Sequence, residues 1–346
     1  MQKQKQAKIG WEKLDQYHQK LLLTKLKMLL SKGPVSLQEL STEFDRGIGQ
    51  VKSAIQVLQK QGFNCQVRED AGTAEIARDL KPGGMYHINP ALIRGDKYRF
   101  GAISDTHLGS KYARLDVLNA LYDWFQEEGI KDVFHGGNLI DGECRFNKFD
   151  LIPGAIGLTN QCKIAARDYP ARKDIITHFI CGDDHEGWYA QREGLNIGQV
   201  MQDTFFGAKR LDMHYLGYLE ADILVSAPKG KTWIRLMHPG GGTAYAISYK
   251  PQKIVESFQG GEKPAVLLLG HFHKADLCFP REIFCFQLGC CQDQTPFLRK
   301  KNIQAHLGGW IIEITQAPDG HVSRIGSEFM RFYDKGFYQG EKYPRW

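Results

Sequence analysis

The sequence predicts an α/β fold preceded by a small helical unit, and three observations carry that reading. Beyond Tyr98, short apolar runs end repeatedly in polar, glycine-containing clusters. Stretches of helical spacing such as Arg114–Glu128 separate some of those runs, the alternation of a layered α/β domain. Before them, residues 1–80 hold three short helical patterns and one alternating pair, punctuated by glycine and proline.

Between His18 and Leu30, residues Leu21, Leu22, Leu26, Leu29 and Leu30 recur at helical spacing, and Gly33-Pro34 stops that helix. Ser36-Leu-Gln-Glu39 is a capping box, with Leu37, Leu40 and Phe44 on one side of a second short helix. After Arg46-Gly47, Ile48, Val51, Ile55 and Leu58 form one face of a third, which Gly62 ends. Phe63–Val67 alternates like a strand, Asp70–Gly72 reads as a turn, and Thr73–Ile76 returns as a second strand. Three helices followed by a hairpin is the winged-helix arrangement, a helix-turn-helix variant. Gln50, Lys52, Ser53, Gln56, Gln59 and Lys60 would then line the exposed side of the third helix. Amides and lysines there suit DNA groove contacts, and they equally suit plain solvent or a protein partner.

Residues 81–97, from Lys81-Pro-Gly-Gly84 through Asn89-Pro90 to Arg94-Gly-Asp96, are rich in breakers and read as a linker. The second domain spans 98–346. Its strands are expected at Tyr98–Ser104, Asp132–Gly137, Ile175–Gly182, Thr232–His238 and Ala265–Gly270. Later runs at Glu282–Gly289, Gly309–Thr315 and His321–Tyr333 lack long helices between them and are expected to complete a second sheet.

A length of 346 residues suits about two domains. With 42% apolar and 24% charged residues, a collagen-like, disordered or coiled-coil chain is excluded. No apolar run approaches the ~20 residues of a membrane span, and Met1–Gln6 is too polar for a signal peptide. Eight cysteines without a C-x-x-C pair read as reduced thiols, so a cytoplasmic location is expected. The Lys/Gln-rich start would suit a bacterial or phage-infected cell. Residues 1–62 carry eleven Lys/Arg against five acids, the whole net charge of +6, while the other 284 residues balance. Such localised charge suits a polyanion such as DNA, or a solvated lysine-rich surface.

The polar clusters stand at strand C-termini, where ligands bind in α/β sheets. They are Asp105-Thr-His107, Gly137-Asn138-Leu-Ile-Asp141, Gly182-Asp-Asp184-His185-Glu186, His238-Pro-Gly-Gly and Gly270-His271-Phe-His273. Mixed imidazole and carboxylate donors suit Mn, Fe or Zn better than Ca or Mg alone, and their number exceeds what one ion can use. Trp188, Tyr189, Arg192 and the Gly240–Tyr245 loop are candidates to line a substrate groove.

At these clusters the sequence resembles the calcineurin-like metallophosphoesterase superfamily, over roughly Tyr98 to Phe337. Its pattern is D-x-H, G-D, G-N-H-D/E, a single His and G-H-x-H, in that order. The resemblance implies a two-sheet sandwich flanked by helices. It implies Asp105, His107 and His273 on one metal ion, Asp184, His238 and His271 on a second, and Asn138 at the bridging position. His185 would protonate the leaving oxygen or steady the phosphate. Two divalent ions, Mn foremost with Fe, Zn or Mg as alternatives, would activate a water. Two positions depart from the pattern: Asn138 stands where the family has Asp, and Asp184 where it has Asn, so the carboxylate count is unchanged. Asp141 and Asp183 are expected in hydrogen-bonding roles.

With the basic winged segment, the resemblance points to the repair-nuclease branch: a metal-dependent phosphodiesterase acting as a DNA nuclease, without membrane association and able to form homo-oligomers. A DNA-binding protein with a phosphoesterase domain inactivated by Asn138, and a phosphatase for small phosphoesters, are the alternatives.

Overall fold

In the computed structural model the described residues are 16–31, 35–60, 65–68, 73–76, 84–88, 96–144, 147–242 and 244–333. The polar start Met1–Gln6, the Gly33-Pro34 stop and the Asp70–Gly72 turn lie outside them. The chain divides into two compact units, Met1–Asp79 and Leu80–Trp346.

The first unit contains α1 (Gln16–Ser31), β1 (Val35–Ser36), α2 (Leu37–Glu43), α3 (Ile48–Lys60), β2 (Cys65–Arg68) and β3 (Thr73–Ile76). Its strands form an antiparallel sheet in the order β1-β3-β2. The capping box is present: the Glu39 amide donates to Ser36 Oγ and the Ser36 amide to Glu39 Oε2, each at 3.0 Å. Leu23, Leu26 and Leu30 form the buried stripe of α1 with helical spacing, whereas Leu21, expected inside, is 56% exposed. Val51, Ala54, Ile55 and Leu58 bury the inner face of α3. Ser53, Gln56 and Gln59 are exposed and Lys52 is half-buried. Gln50, expected on the outer side, lines a small apolar recess with Leu22, Leu26 and Phe44. Lys60 closes the helix, its side chain lying outside the described part.

The second unit has two six-stranded mixed sheets. One runs β12-β13-β11-β10-β9-β4, built from β4 (Gly84–Ile88), β9 (Glu220–Ala227), β10 (Gly230–Met237), β11 (Val266–Leu269), β12 (Ala275–Cys278) and β13 (Phe284–Leu288). The other runs β15-β14-β5-β6-β7-β8, from β5 (Lys97–Ile103), β6 (Asp132–His135), β7 (Ile176–Cys181), β8 (Met213–Tyr218), β14 (Gly308–Gln316) and β15 (Val322–Arg331). Phe100, Phe134, Ile180 and Ile312 of this sheet meet Ile223, Ile234, Leu268 and Phe286 of the first in the inter-sheet core. On its outer face α4 (Leu115–Glu127), α5 (Leu158–Asp168) and α7 (Ile197–Gly207) bury Leu121, Phe125, Cys162 and Phe205. On the opposite outer face Val255 of α8 (Tyr249–Ser257) covers Leu267 and Leu269. Two short α-helices remain among the described residues, α6 (Gly187–Glu193) and α9 (Pro296–Lys300).

Two expectations are corrected here. The 81–97 linker contains β4, which pairs in parallel with β9 at the sheet edge. Breakers on both sides conceal it, and only one face is covered: Met85 is 62% exposed, while Tyr86 packs on the core. The three closing runs do not share one sheet. β13 lies between β12 and β11, whereas β14 lies between β5 and β15. The first five residues of β14, Gly308–Ile312, are all buried, as a strand between two neighbours beneath covering helices requires.

Candidate metal centre

The five clusters occupy the loops after β5, β6, β7, β10 and β11, and they converge at one end of the sandwich. Six of the eight expected site residues have left-handed backbone: Asp105 (φ 53°), His107 (47°), Asn138 (52°), His185 (57°), His271 (76°) and His273 (53°). Crowding of Cβ makes that conformation cost roughly 1–3 kcal/mol per residue, and it persists where surroundings dictate it. Among the described residues only thirteen non-glycines have positive φ, so nearly half of them lie here. Backbone bonds hold the strained turns: the Asp105 amide donates to Gly137 O and that of His107 to Asn138 O, both at 3.0 Å.

The deepest group is Asp105, His107 and His273, whose ligand atoms lie within 4.8 Å of one another. Asp105 is fully buried, and its Oδ2 accepts from Ser104 Oγ (2.6 Å) and the His271 amide (2.8 Å). Its Oδ1 lies 3.6 Å from His107 Nε2 and 3.4 Å from His273 Nε2, and those nitrogens are 3.3 Å apart. His107 Nδ1 is 3.0 Å from Asp141 Oδ1; donating there fixes the tautomer and turns the Nε2 lone pair inward. Burial opposes charge on His107, yet hydrogen bonds to Asp105 and Asp141 outweigh it and raise its pKa to about 9. Burial likewise opposes the Asp141 carboxylate, but His107 and His185 hold it below the ordinary carboxylate range.

Beside this group lies a more open one. His238 is buried, its Nδ1 donates to Gly136 O, and burial pushes its pKa down to about 3, leaving a neutral ring. Its Nε2 and the Asn138 Oδ1 are buried acceptors without a hydrogen-bond partner. Asn138 Nδ2 donates to Asp105 Oδ1 at 3.2 Å, which turns the amide oxygen to the other side. Both orphan atoms face Gly182: a Cβ there would lie 2.5 Å from Asn138 Oδ1 and 2.8 Å from His238 Nε2, so only glycine fits. His271 Nε2 donates to Gly241 O at 2.6 Å, leaving its Nδ1 4.0 Å from Asp184 Oδ2. Asp184 is the most exposed of the set, with 46% of its side chain accessible. Buried lone pairs left unmatched are costly, and a cation is one group that could complete them.

Glu186 ties the two loops together. It is fully buried, and its carboxylate accepts from the amides of Asn138 (2.8 Å), Leu139 (2.7 Å), Ile140 (3.2 Å) and Gly182 (2.8 Å). Burial pushes its pKa up to about 7 against those four donors. With both oxygens fully engaged no lone pair is left for a proton, the arrangement of an ionised carboxylate.

His185 stands at the cleft wall. Its Nδ1 lies 2.8 Å from Asp141 O and 3.5 Å from Asp141 Oδ1. Its ring meets His107 edge-on at 4.3 Å and lies over Trp188 at 4.7 Å. The second nitrogen, Nε2, is left for the cleft. That cleft, about 1140 Å³, is lined by Asn138, Asp184, His185, Trp188 and His271, and continues to Phe297 and Lys301.

A scan of protein-family models and a search of curated proteins both return no match. Solved structures similar to this chain include an archaeal phosphodiesterase, at 13% identity and a TM-score of 0.35 over 67% of this chain and all of that one. A predicted phosphoesterase from Streptococcus pneumoniae is 16% identical with a TM-score of 0.29, over 68% and 98%. Vps29 from Entamoeba histolytica, crystallised with zinc, is 14% identical with a TM-score of 0.32, over 68% and 100%. Similarity of that degree assigns no chemistry to this chain. Its own side chains do.

Asp105, His107, Asn138, Asp184, His185, His238, His271 and His273 are thus brought together. Asp141 and Asp183 both accept hydrogen bonds, Asp183 from Gln191 Nε2 (2.9 Å) and Tyr218 Oη (3.1 Å). Of the groove candidates, Trp188, Gly241 and Gly242 line the cleft, whereas Tyr189 is buried at 3% and carries Arg192 over its ring. Two features escape the sequence reading. Glu186 stands inside a quoted cluster, but nothing local shows that four amides converge on it. The α9 wall left a trace only as the run Arg299-Lys300-Lys301.

Proposed function

We propose that this protein is a divalent-metal-dependent phosphodiesterase that cleaves DNA. The observation that supports it most is the convergence of unpartnered or proton-bridged acceptors on a strained backbone at the floor of an open cleft. The donor set fits transition-metal ions: buried imidazole nitrogens of His107, His273 and His238, the Asp105 and Asp184 carboxylates, and the Asn138 amide oxygen. Two ions held by these residues, Mn foremost, would supply Lewis acidity toward the phosphate and lower the pKa of water. The remaining roles belong to the chain. Asp141 fixes the tautomer of His107 and anchors His185 through its carbonyl, so His185 presents Nε2 to the departing oxygen and delivers its proton there. Glu186 holds the Asn138 and Gly182 turns at their spacing. DNA is favoured over small esters by the basic first unit, which would raise the local concentration of strand at the cleft.

Hydrolysis of bis(p-nitrophenyl) phosphate and plasmid DNA, with Mn and with EDTA, tests this reading. Turnover with Mn that EDTA abolishes is expected. His185→Ala should remove turnover while bound Mn per chain is retained, and loss of both would contradict the assigned proton role.

A second reading has its own observation: Asn138 directs an N–H at Asp105, so it offers a single neutral oxygen where a carboxylate could hold two ions. An inactive, DNA-binding protein would result. Asn138→Asp, Asp184→Asn and the double variant separate the readings. A compensated site loses activity in each single variant and recovers in the double. A crippled one gains sharply from Asn138→Asp alone.

A further inference from the structure

Beyond the metal centre the cleft is walled by α9, and its surface has the character of a strand-binding platform. Phe297 lines the cleft with half its surface exposed. Lys301 follows it, Nζ lying 6.0 Å from the ring centroid. Arg299, Lys300 and Lys301 are consecutive and exposed, and among the described residues none of the three is in an ion pair. The part of the chain in which they stand is balanced overall, so this is a local concentration of positive charge: Lys301 lines the cleft, and Arg299 and Lys300 line the recess that shares Pro296 with it. Half-buried Trp188 lines the same cleft, its ring already lying over His185.

Exposed aromatic rings interleaved with unpaired cations form the surface that holds single-stranded nucleic acid: bases stack on the rings while the cations follow the phosphates. Bases can stack on a side chain only when unpaired. A cleft of about 1140 Å³ also exceeds the ~300–1,000 Å³ of small-molecule sites. Asn138 and His273 are buried residues of its lining, so a phosphodiester must descend to reach them, as a flexible single strand can. We infer that α9 and Lys301 form a binding subsite for single-stranded nucleic acid, stacking one base on Phe297 and holding the adjoining phosphates with Arg299, Lys300 and Lys301. The inference rests on the phosphodiesterase reading for the destination of the strand, but not for its binding.

The test uses the full-length protein and a short fluorescein-labelled oligothymidylate, followed by anisotropy in EDTA over a range of salt. Phe297→Ala should weaken binding about tenfold to hundredfold, and Phe297→Trp should restore it, as stacking requires and a merely structural role does not. Arg299→Ser with Lys300→Ser and Lys301→Ser should flatten the slope of log affinity against log salt by about 2, three phosphates at about 0.7 each. Lys173→Ser with Lys209→Ser and Lys229→Ser, three remote exposed lysines, controls for total charge. With Mn, the ratio of oligonucleotide to bis(p-nitrophenyl) phosphate turnover should fall about tenfold in Phe297→Ala. Unchanged affinity and slope would overturn the inference, as would equal loss on a duplex of the same length. Absence of any small-diester turnover in the unaltered protein would instead sink the phosphodiesterase reading, with the EDTA binding result still deciding the subsite.

Discussion

The two halves of the candidate metal centre are built from similar side chains in different surroundings. The deep half, Asp105, His107 and His273, is buried throughout, and two of the three have partners that fix them: Ser104 and the His271 amide on Asp105, Asp141 on His107. The open half leaves Asp184 46% exposed and His271 Nδ1 4.0 Å from it. Preorganisation in the deep half comes from hydrogen bonds made before any ion arrives, and these strengthen as water is excluded. On the proposed function, the open half would keep room for a substrate oxygen, and burial would separate holding an ion from presenting one.

The largest effect should come from removing the deep carboxylate. Asp105→Ala is expected to lower kcat/KM by about 10³-fold or more, with loss of the bound ion, because two imidazoles alone cannot balance a divalent charge. Asp184→Ala should cost only about tenfold to hundredfold, since water can replace an exposed ligand. Steady-state kinetics with metal analysis of both variants checks the comparison, and equal losses would break it.

Glu186→Ala acts on both halves at once. Four buried amides would lose their acceptor, at about 1–3 kcal/mol each before the loops relax and water enters. A loss of about 4 kcal/mol or more in urea unfolding is expected, and one below about 1 kcal/mol would show that the amides find other partners.

Asp141→Asn sharpens the division. It leaves the volume intact but weakens the bond that orients His107, so affinity at the deep position should fall about tenfold to hundredfold. Titration with Mn should resolve one weakened site and one unchanged.

The smallest effect is on pH dependence in the metal-free protein. Burial pushes His135 and His238 down to about 3, below the ordinary value near 6.5. Between those values the unfolded chain takes up protons that the folded one refuses. Their stability contribution is therefore complete above pH 6.5 and lost as pH falls toward 3, at about 1.4 kcal/mol per pH unit for each ring. His107, raised to about 9, works oppositely: its contribution is full below 6.5 and lost as pH rises through 9. Urea unfolding with EDTA at pH 5, 6, 7 and 9 should show stability declining on both sides of a maximum near 6.5. A monotonic rise to pH 9 would contradict the assignment of a charged His107.

By itself the sequence determined what local pattern can encode. Short, largely apolar runs marked β5, β6, β7, β10 and β11, strands of four to eight residues, and the polar residues directly after each marked the five loops, because strand and loop are adjacent in the chain. The capping box at Ser36 and Glu39 was legible for the same reason: its partners are three residues apart. What joins distant segments was decided only by the tertiary structure. β14 pairs with β5 across some two hundred residues, and neither run carries a mark of its neighbour. The linker reading failed at β4 because a short edge strand needs only one covered face, where Tyr86 meets the core, and one paired edge, which β9 supplies more than a hundred residues later. At the site, residue types were readable, but left-handed φ, the tautomer of His107 and the side to which Asn138 turns its oxygen were not. Each depends on hydrogen bonds from other loops, Asp141 to His107 and Glu186 to four amides, and a buried donor or acceptor is satisfied by whatever the fold brings within about 3 Å, however far away in sequence.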